Sequence, residues 1–263
     1  MLVDSHSHFD APELDPDRDA ALARAQAAGV ARQIVPAVEA AGWPKLRAVC
    51  AAAPGLFPAY GLHPMYLASH RPGHLDELRD WIEREHPVAV GECGLDFFVE
   101  GLDAQAQQHY FEGQLRLARE FDLPVIVHAR RAVDAAIAAF KRTGGLRGVV
   151  HSFSGSPEQA RQLWQLGFLL GLGGPVTYER AHRLRGLARD MPLEYLLLET
   201  DAPDQPDAGI RGQRNEPARL PVICETIARL RGVPPEDIAH ATTRNAERLF
   251  GLPPTVGAGE AAR

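Results

Sequence analysis

From its first residues to about residue 231, the sequence alternates eight times between a short apolar run and a longer amphipathic stretch. The apolar runs fall at 2–5, 32–38, 56–61, 88–91, 124–127, 148–150, 168–171 and 195–198, each too short for a stable helix and bounded by turn residues. Helical periodicity fills the spaces between and after them, at about 15–28, 43–53, 75–85, 103–121, 132–142, 157–166, 178–189 and 217–231. Ser156-Pro157 is a fitting start for one of these helices and Gly29 a fitting stop for another. A strand followed by a helix returns the chain to the same edge, so repetition of the unit makes the strands parallel. Eight units is the number that closes such a sheet on itself. The expected fold is therefore α/β, a (β/α)8 TIM barrel, as one domain over residues 1–252. Residues 253–263 are small, polar and proline-containing and are expected to form a flexible C-terminal tail. A doubly wound open sheet is the rival architecture. Polar residues at nearly every strand end favour the barrel, which gathers its chemistry at one face.

The balance of charge narrows the function. A formal net charge of −6 excludes a protein that coats nucleic acid non-specifically, but not one that grips a phosphate at a single site. Three cysteines, Cys50, Cys93 and Cys224, form no CxxC pair and read as free thiols of a reducing compartment. Met1 leads directly into the first strand, which leaves no room for a signal peptide, and no apolar run reaches membrane-spanning length. A cytoplasmic location and no membrane partner are expected.

The chemistry-bearing residues fall at strand ends. His6 and His8 are two apart after the first run, a spacing that turns both side chains the same way on a strand. Glu92, His128 and His151 end the fourth, fifth and sixth runs, and Asp201 follows the eighth. A lone histidine at a strand end is ordinarily a hydrogen-bonded structural residue. Six such groups on five strands of one barrel converge on a single cavity, and each would otherwise need its own buried partner. Imidazole nitrogen and carboxylate oxygen suit zinc, manganese, iron or magnesium. Six donors exceed what one tetrahedral ion needs, and a carboxylate can bridge a pair of ions. His70, His74, His86, His109, His182 and His240 lie in helices or their loops and carry no functional expectation.

Longer stretches around these positions resemble the TatD-related metal-dependent hydrolases, a branch of the amidohydrolase-like barrels. The matching segments are Asp4-Ser5-His6-Ser7-His8, Gly61-Leu62-His63-Pro64, Gly91-Glu92-Cys93-Gly94-Leu95-Asp96, His128-Ala129-Arg130 and His151-Ser152-Phe153-Ser154-Gly155. Glu199-Thr200-Asp201-Ala202-Pro203, Arg214-Asn215-Glu216-Pro217 and Thr243-Arg244-Asn245-Ala246-Glu247-Arg248-Leu249-Phe250 complete the set, so the resemblance spans about residues 2–252. It implies one metal held by His6, His8, Glu92 and Asp201, and a second held by His128 and His151 with Glu92 bridging. Cys93 stands where a branched aliphatic residue is usual, and packing is its expected role.

The resemblance also implies a deoxyribonuclease, 3′→5′ exonuclease-like, acting on single strands or 3′ ends of DNA, with no obligate protein partner. The catalytic residues would be Asp201, Glu199 and His63: Asp201 as proton acceptor for the attacking water, Glu199 orienting a metal ligand, and His63 either orienting or protonating the phosphate or bracing Asp201 or a loop. Arg130, Arg211 and Arg214, with Arg131, lie in loops after the fifth and eighth strands, where a guanidinium fork could meet phosphate oxygens. Phe9, Tyr66, Phe97, Phe98 and Phe153 lie in loops at the same mouth, within reach of stacking on bases, although loop packing is the more usual role of such aromatics. One rival is hydrolysis of small-molecule amides or esters, aminoacyl esters included, since the same barrel supports attack on carbonyls. A non-catalytic binding protein is the other, and the intact six-residue set argues against it.

Overall fold

The computed structural model describes residues 1–254, and its strands form one parallel eight-stranded sheet in sequential order. The strands are β1 (Leu2–Asp4), β2 (Val30–Pro36), β3 (Leu56–Tyr60), β4 (Ala89–Asp96), β5 (Val125–Arg130), β6 (Gly148–Val150), β7 (Phe168–Leu172) and β8 (Leu196–Leu198). Beside β8, the chain after β1 closes the curl: the Ser5 amide donates to Leu198 O at 2.9 Å, and the Asp201 amide to His6 O at 2.9 Å. The expected (β/α)8 barrel is the observed fold.

Nine α-helices are present among the described residues: α1 (Arg18–Ala27), α2 (Trp43–Ala51), α3 (His74–Glu85), α4 (Ala104–Glu120), α5 (Val133–Thr143), α6 (Pro157–Gln165), α7 (His182–Asp190), α8 (Leu220–Arg231) and α9 (Pro235–Phe250). Local chemistry sets several of their starts. Asp103 accepts the Gln105 and Ala106 amides to begin α4, and Ser156 with Gln159 forms a reciprocal capping box at α6.

Two apolar layers result. The larger lies between strands and helices, and includes Cys93, which is fully buried there. The smaller fills the barrel itself: Val3, Ile34, Ala59, Ala89, Ile126, Val149, Leu169 and Leu197, one from each strand. Ala246, Leu249, Phe250 and Leu252 pack on that interior layer. The seal is polar as well as apolar, because the Asn245 amide donates to Leu193 O (2.8 Å) and Leu196 O (2.9 Å), and the Thr243 hydroxyl to Met1 O (3.2 Å). With one end closed this way, polar side chains can project into the barrel only at the other. The Thr243–Phe250 motif thus belongs to the architecture.

Helix α9 is an element that the expected series, ending near residue 231, leaves out. Its buried face carries Ile238, Ala246, Leu249 and Phe250 with Thr242, Thr243 and Asn245, and Pro235 at its start and Gly251 past its end are ordinary boundary signals. Strand β4 runs to Asp96, five residues past its expected end, and helix α7 begins at His182, not at 178, because the chain first makes a turn closed by the Ala181 amide on Tyr178 O at 2.9 Å. The expected tail at 253–263 lies outside the described residues beyond Pro254.

Candidate active site

Glu92 organises the open end of the barrel. Between Val90 and Cys93 strand β4 carries one more residue than its partner β5, a bulge that re-aims a side chain. The bulge contains Gly91 at φ 146°, and Gly94 with the same φ follows it; a Cβ on Gly94 would lie 1.9 Å from His128 O. These glycines let β4 press against β5 while Glu92 turns inward. Its carboxylate is 1% exposed.

Each oxygen of that carboxylate has its own set of imidazoles. Oε2 lies 3.1 Å from His6 Nε2 and 3.3 Å from His8 Nε2. Asp201 Oδ1 joins this half, at 3.4 Å from His6 and 3.6 Å from His8. Oε1 lies 2.7 Å from His151 Nε2, 3.0 Å from His63 Nε2 and 3.3 Å from His128 Nδ1. The structure therefore brings together all six of the expected ligand residues, and adds His63. Strand geometry does not aim His6 and His8, since β1 ends at Asp4; the bonds of Ser7 and His8 amides to Ile34 O and Ala202 O hold that segment.

For His8 and His128, partners behind the ring fix which nitrogen faces the centre. His8 Nδ1 lies 3.2 Å from Pro36 O and His128 Nε2 lies 2.8 Å from Asp96 Oδ2. Both of those nitrogens carry a proton, which leaves His8 Nε2 and His128 Nδ1 as the nitrogens that would meet a cation once it displaces the proton that Glu92 draws there. His63 is the reverse: its Nδ1 accepts the Met65 amide at 3.2 Å, so Nε2 carries the proton and donates to Glu92. This separates His63 from the ligand-like histidines.

The electrostatics agree with a site for cations. Burial alone would raise Glu92, but the rings of His151, His63 and His6 and the bond from His128 outweigh it and hold the carboxyl well below its usual range. Burial opposes a charge on His8 and His151, yet Glu92 overcomes it and lifts them to about 9 and about 10. His6, pushed down by burial and by His151, falls to about 4. A carboxylate that draws protons onto two buried imidazoles is a carboxylate selecting positive charge. Rings facing nitrogen to nitrogen, His6 to His8 at 3.3 Å and His128 to His151 at 3.4 Å, complete a donor set that divalent cations fit.

Below this layer lies Glu199. Its Oε1 accepts the Ser152 amide and stands 3.8 Å from His151 Nδ1, while Oε2 is buried without a partner. Burial pushes the carboxyl up to about 8, against the pull of the His151 ring. Glu199 also groups with His6 and His151 as a third set of closely spaced donor atoms. Gly171 in β7 makes the room: a Cβ there would lie 2.0 Å from Glu199 Oε2.

Above the layer opens a cavity of about 810 Å³, whose walls include His8, Lys45, His63, Tyr66, Arg130 and Asp204. Arg130 and Arg131 lie over the Phe98 ring, at 3.7 and 4.6 Å from its centre. Tyr66, Phe97 and Phe98 are exposed. Phe9 and Phe153 are not, at 0% and 2%, so these two take the packing role and not the stacking one, Phe153 at the edge of the cavity. Arg211 and Arg214 lie outside the cavity lining. The Arg214 guanidinium is taken by Asp17 at 2.6 Å and by Glu13 O, which leaves it no free fork.

Sequence reasoning missed Asp96, Gln205 and Lys45. Asp96 pins His128, and the second glycine of the bulge just before it was the available signal. Gln205 donates to Asp201 Oδ2 and accepts the Ser152 hydroxyl at 2.8 Å, links that depend on two loops meeting.

A parallel barrel whose open mouth gathers histidines and carboxylates around one buried glutamate defines a metal-dependent hydrolase. More narrowly, the chain belongs to the TatD-related DNase family, whose model matches residues 3–251. It is 42% identical to an uncharacterized metal-dependent hydrolase, YjjV of Escherichia coli K12, over 96% of this chain and 98% of that protein. The crystal structure of YjjV superposes with a TM-score of 0.91 at 41% identity, covering 96% of this chain and 98% of that one. A relative from Citrobacter rodentium, the 3′-5′ ssDNA/RNA exonuclease TatD, is 35% identical over 90% of this chain and 92% of its own length. No described helix is long and apolar enough to cross a membrane.

Proposed function

We propose that this chain hydrolyses phosphodiester bonds at the 3′ ends of DNA, with two divalent cations (magnesium, manganese or zinc) as cofactors. The carrying observation is the division of Glu92, each of whose oxygens faces a separate group of imidazoles. His6, His8 and Asp201 hold one ion on the Oε2 side, and His128 and His151 hold the other on the Oε1 side. Bound there, divalent ions supply Lewis acidity and lower the pKa of a water from roughly 15.7 to about 7.

The chain's own residues do the rest. Asp201 takes the proton of the attacking water and passes it to the leaving oxygen. Asp96 and Pro36 O keep His128 and His8 in the tautomers that turn lone pairs inward. His63, as an Nε2–H donor, fixes Glu92. Glu199 sets the His151 ring from below. Arg130, on its Phe98 support, is the cation that meets a phosphoryl oxygen at the rim. The exonuclease named among the relatives supports this choice of substrate.

The rim also favours a second reading. Asp10, Glu13, Glu39 and Asp204 line the cavity against only Lys45 and Arg130, and Lys45 is held by Asp15 at 2.9 Å. Four carboxylates repel a long run of phosphates, which suits a small amide or ester, an aminoacyl ester included. One assay separates the readings. Chelated protein is given magnesium, manganese or zinc stepwise and offered 3′-labelled single-stranded DNA beside amide and ester panels. Metal-dependent release of mononucleotides from the 3′ end is expected; turnover of the panels alone would reject the nuclease reading.

A further inference from the structure

The space at the barrel mouth continues past Gln205. Pro175 and Gln205 wall the main cavity and also a second, more open groove of about 510 Å³, whose other walls are Tyr178, Arg180, Ala181 and Pro206. Gln205 is a fixed partition, bonded to Asp201 on one side and to the Ser152 hydroxyl on the other. Tyr178 is fixed too, because its hydroxyl donates to Pro206 O at 3.0 Å. Arg180 stands 5.8 Å from the centre of that ring, and it is exposed. Among the described residues it forms no hydrogen bond or ion pair, whereas Arg219, bonded to Asp207 beside the groove, is taken up by a carboxylate. In a chain with 34 acidic and 28 basic residues, a free guanidinium beside a rigid aromatic wall is available to an anion.

We propose that this groove is a second subsite, taking the nucleotide that adjoins the scissile phosphodiester, with its base against Tyr178 and its phosphate on Arg180. The inference rests on the phosphodiester reading above. It assigns substrate length to residues that take no part in the bond cleavage: Asp201 and the imidazoles act on one linkage, and Arg180 measures whether another follows.

Two substrates test it with the metal-loaded enzyme: the p-nitrophenyl ester of thymidine 5′-phosphate, which supplies one nucleotide, and a tetranucleotide. In Arg180→Ala the KM for the tetranucleotide is expected to rise about tenfold relative to that for the short ester, with kcat held, the loss of about one charge-assisted contact. Arg180→Lys restores part of the difference, and the salt dependence of tetranucleotide KM becomes shallower in Arg180→Ala. A KM ratio that is the same in wild type and Arg180→Ala overturns the subsite and leaves the phosphodiester reading standing. Hydrolysis of neither substrate by the wild-type enzyme, with any of the three metals, overturns both.

Discussion

At the scale of the residue, the site depends on a few side chains whose direction is set by neighbours. Asp201 sits at φ 57°, a left-handed conformation in which its Oδ1 faces His6 and His8 while Gln205 occupies Oδ2. Replacing the carboxylate by an amide keeps the shape and removes both the base and the negative charge offered to the ion on the Oε2 side. Asp201→Asn is therefore expected to melt within a few degrees of the parent and to lose about a thousandfold in kcat, the range for a missing general base. Turnover at the parental rate would end the assignment. Gly171 offers a sharper test of Glu199. A methyl group at that position meets a carboxylate with no room to retreat, so Gly171→Ala should cost about 1–3 kcal/mol in urea unfolding. Adding Glu199→Ala to it should return most of that loss, because the two substitutions act on one clash. Simple additivity would show that the strain lies elsewhere.

Among the elements, β4 and α9 divide the labour between chemistry and closure. Strand β4 carries the bulge that delivers Glu92 and, at its far end, Asp96, so a single strand supplies both the central carboxylate and the support of His128. Helix α9 touches none of this. It packs Leu249 and Phe250, 5% and 4% exposed, on the interior layer of the barrel. Phe250→Ala should cost about 3–5 kcal/mol, as truncation of a buried aromatic does, and lower the urea midpoint accordingly. At temperatures where the variant remains folded its kcat should match the parent, because the seal acts on stability and not on the site. A stable but inactive Phe250→Ala would contradict that division.

For the whole molecule, stability against acid has an identifiable part away from the Glu92 cluster. Asp207 is 1% exposed and accepts from Arg219 at 2.7 and 3.0 Å and from the Gly209 amide at 2.8 Å. Burial would raise its carboxyl, but these partners outweigh that and hold it below the ordinary 3.8. A group whose pKa is lower folded than unfolded stabilises the fold above its unfolded value, and that contribution vanishes as the pH falls through the folded one. Thermal midpoints should therefore drop below about pH 4, and Asp207→Asn, less stable at neutral pH, should show a flatter acid limb. An unchanged slope in the variant would assign the acid sensitivity to other carboxylates.

Much of this protein was written locally. Short apolar runs spaced by helical periods dictate parallel strands, and residues at their ends dictate where chemistry gathers, because both follow from which side chains avoid water at close range along the chain. So eight strands and the six residues around Glu92 were legible before any coordinates. The role of helix α9 was not, since the groups that its Thr243 and Asn245 satisfy belong to residues far off in sequence, although Pro235, Gly251 and its apolar face marked the helix itself. Nor was the burial of Phe9 and Phe153, the capture of Arg214 by Asp17, or the proton that His63 turns toward Glu92. Those depend on which loops meet across the barrel mouth, and only closure of the sheet brings such distant partners within hydrogen-bonding reach.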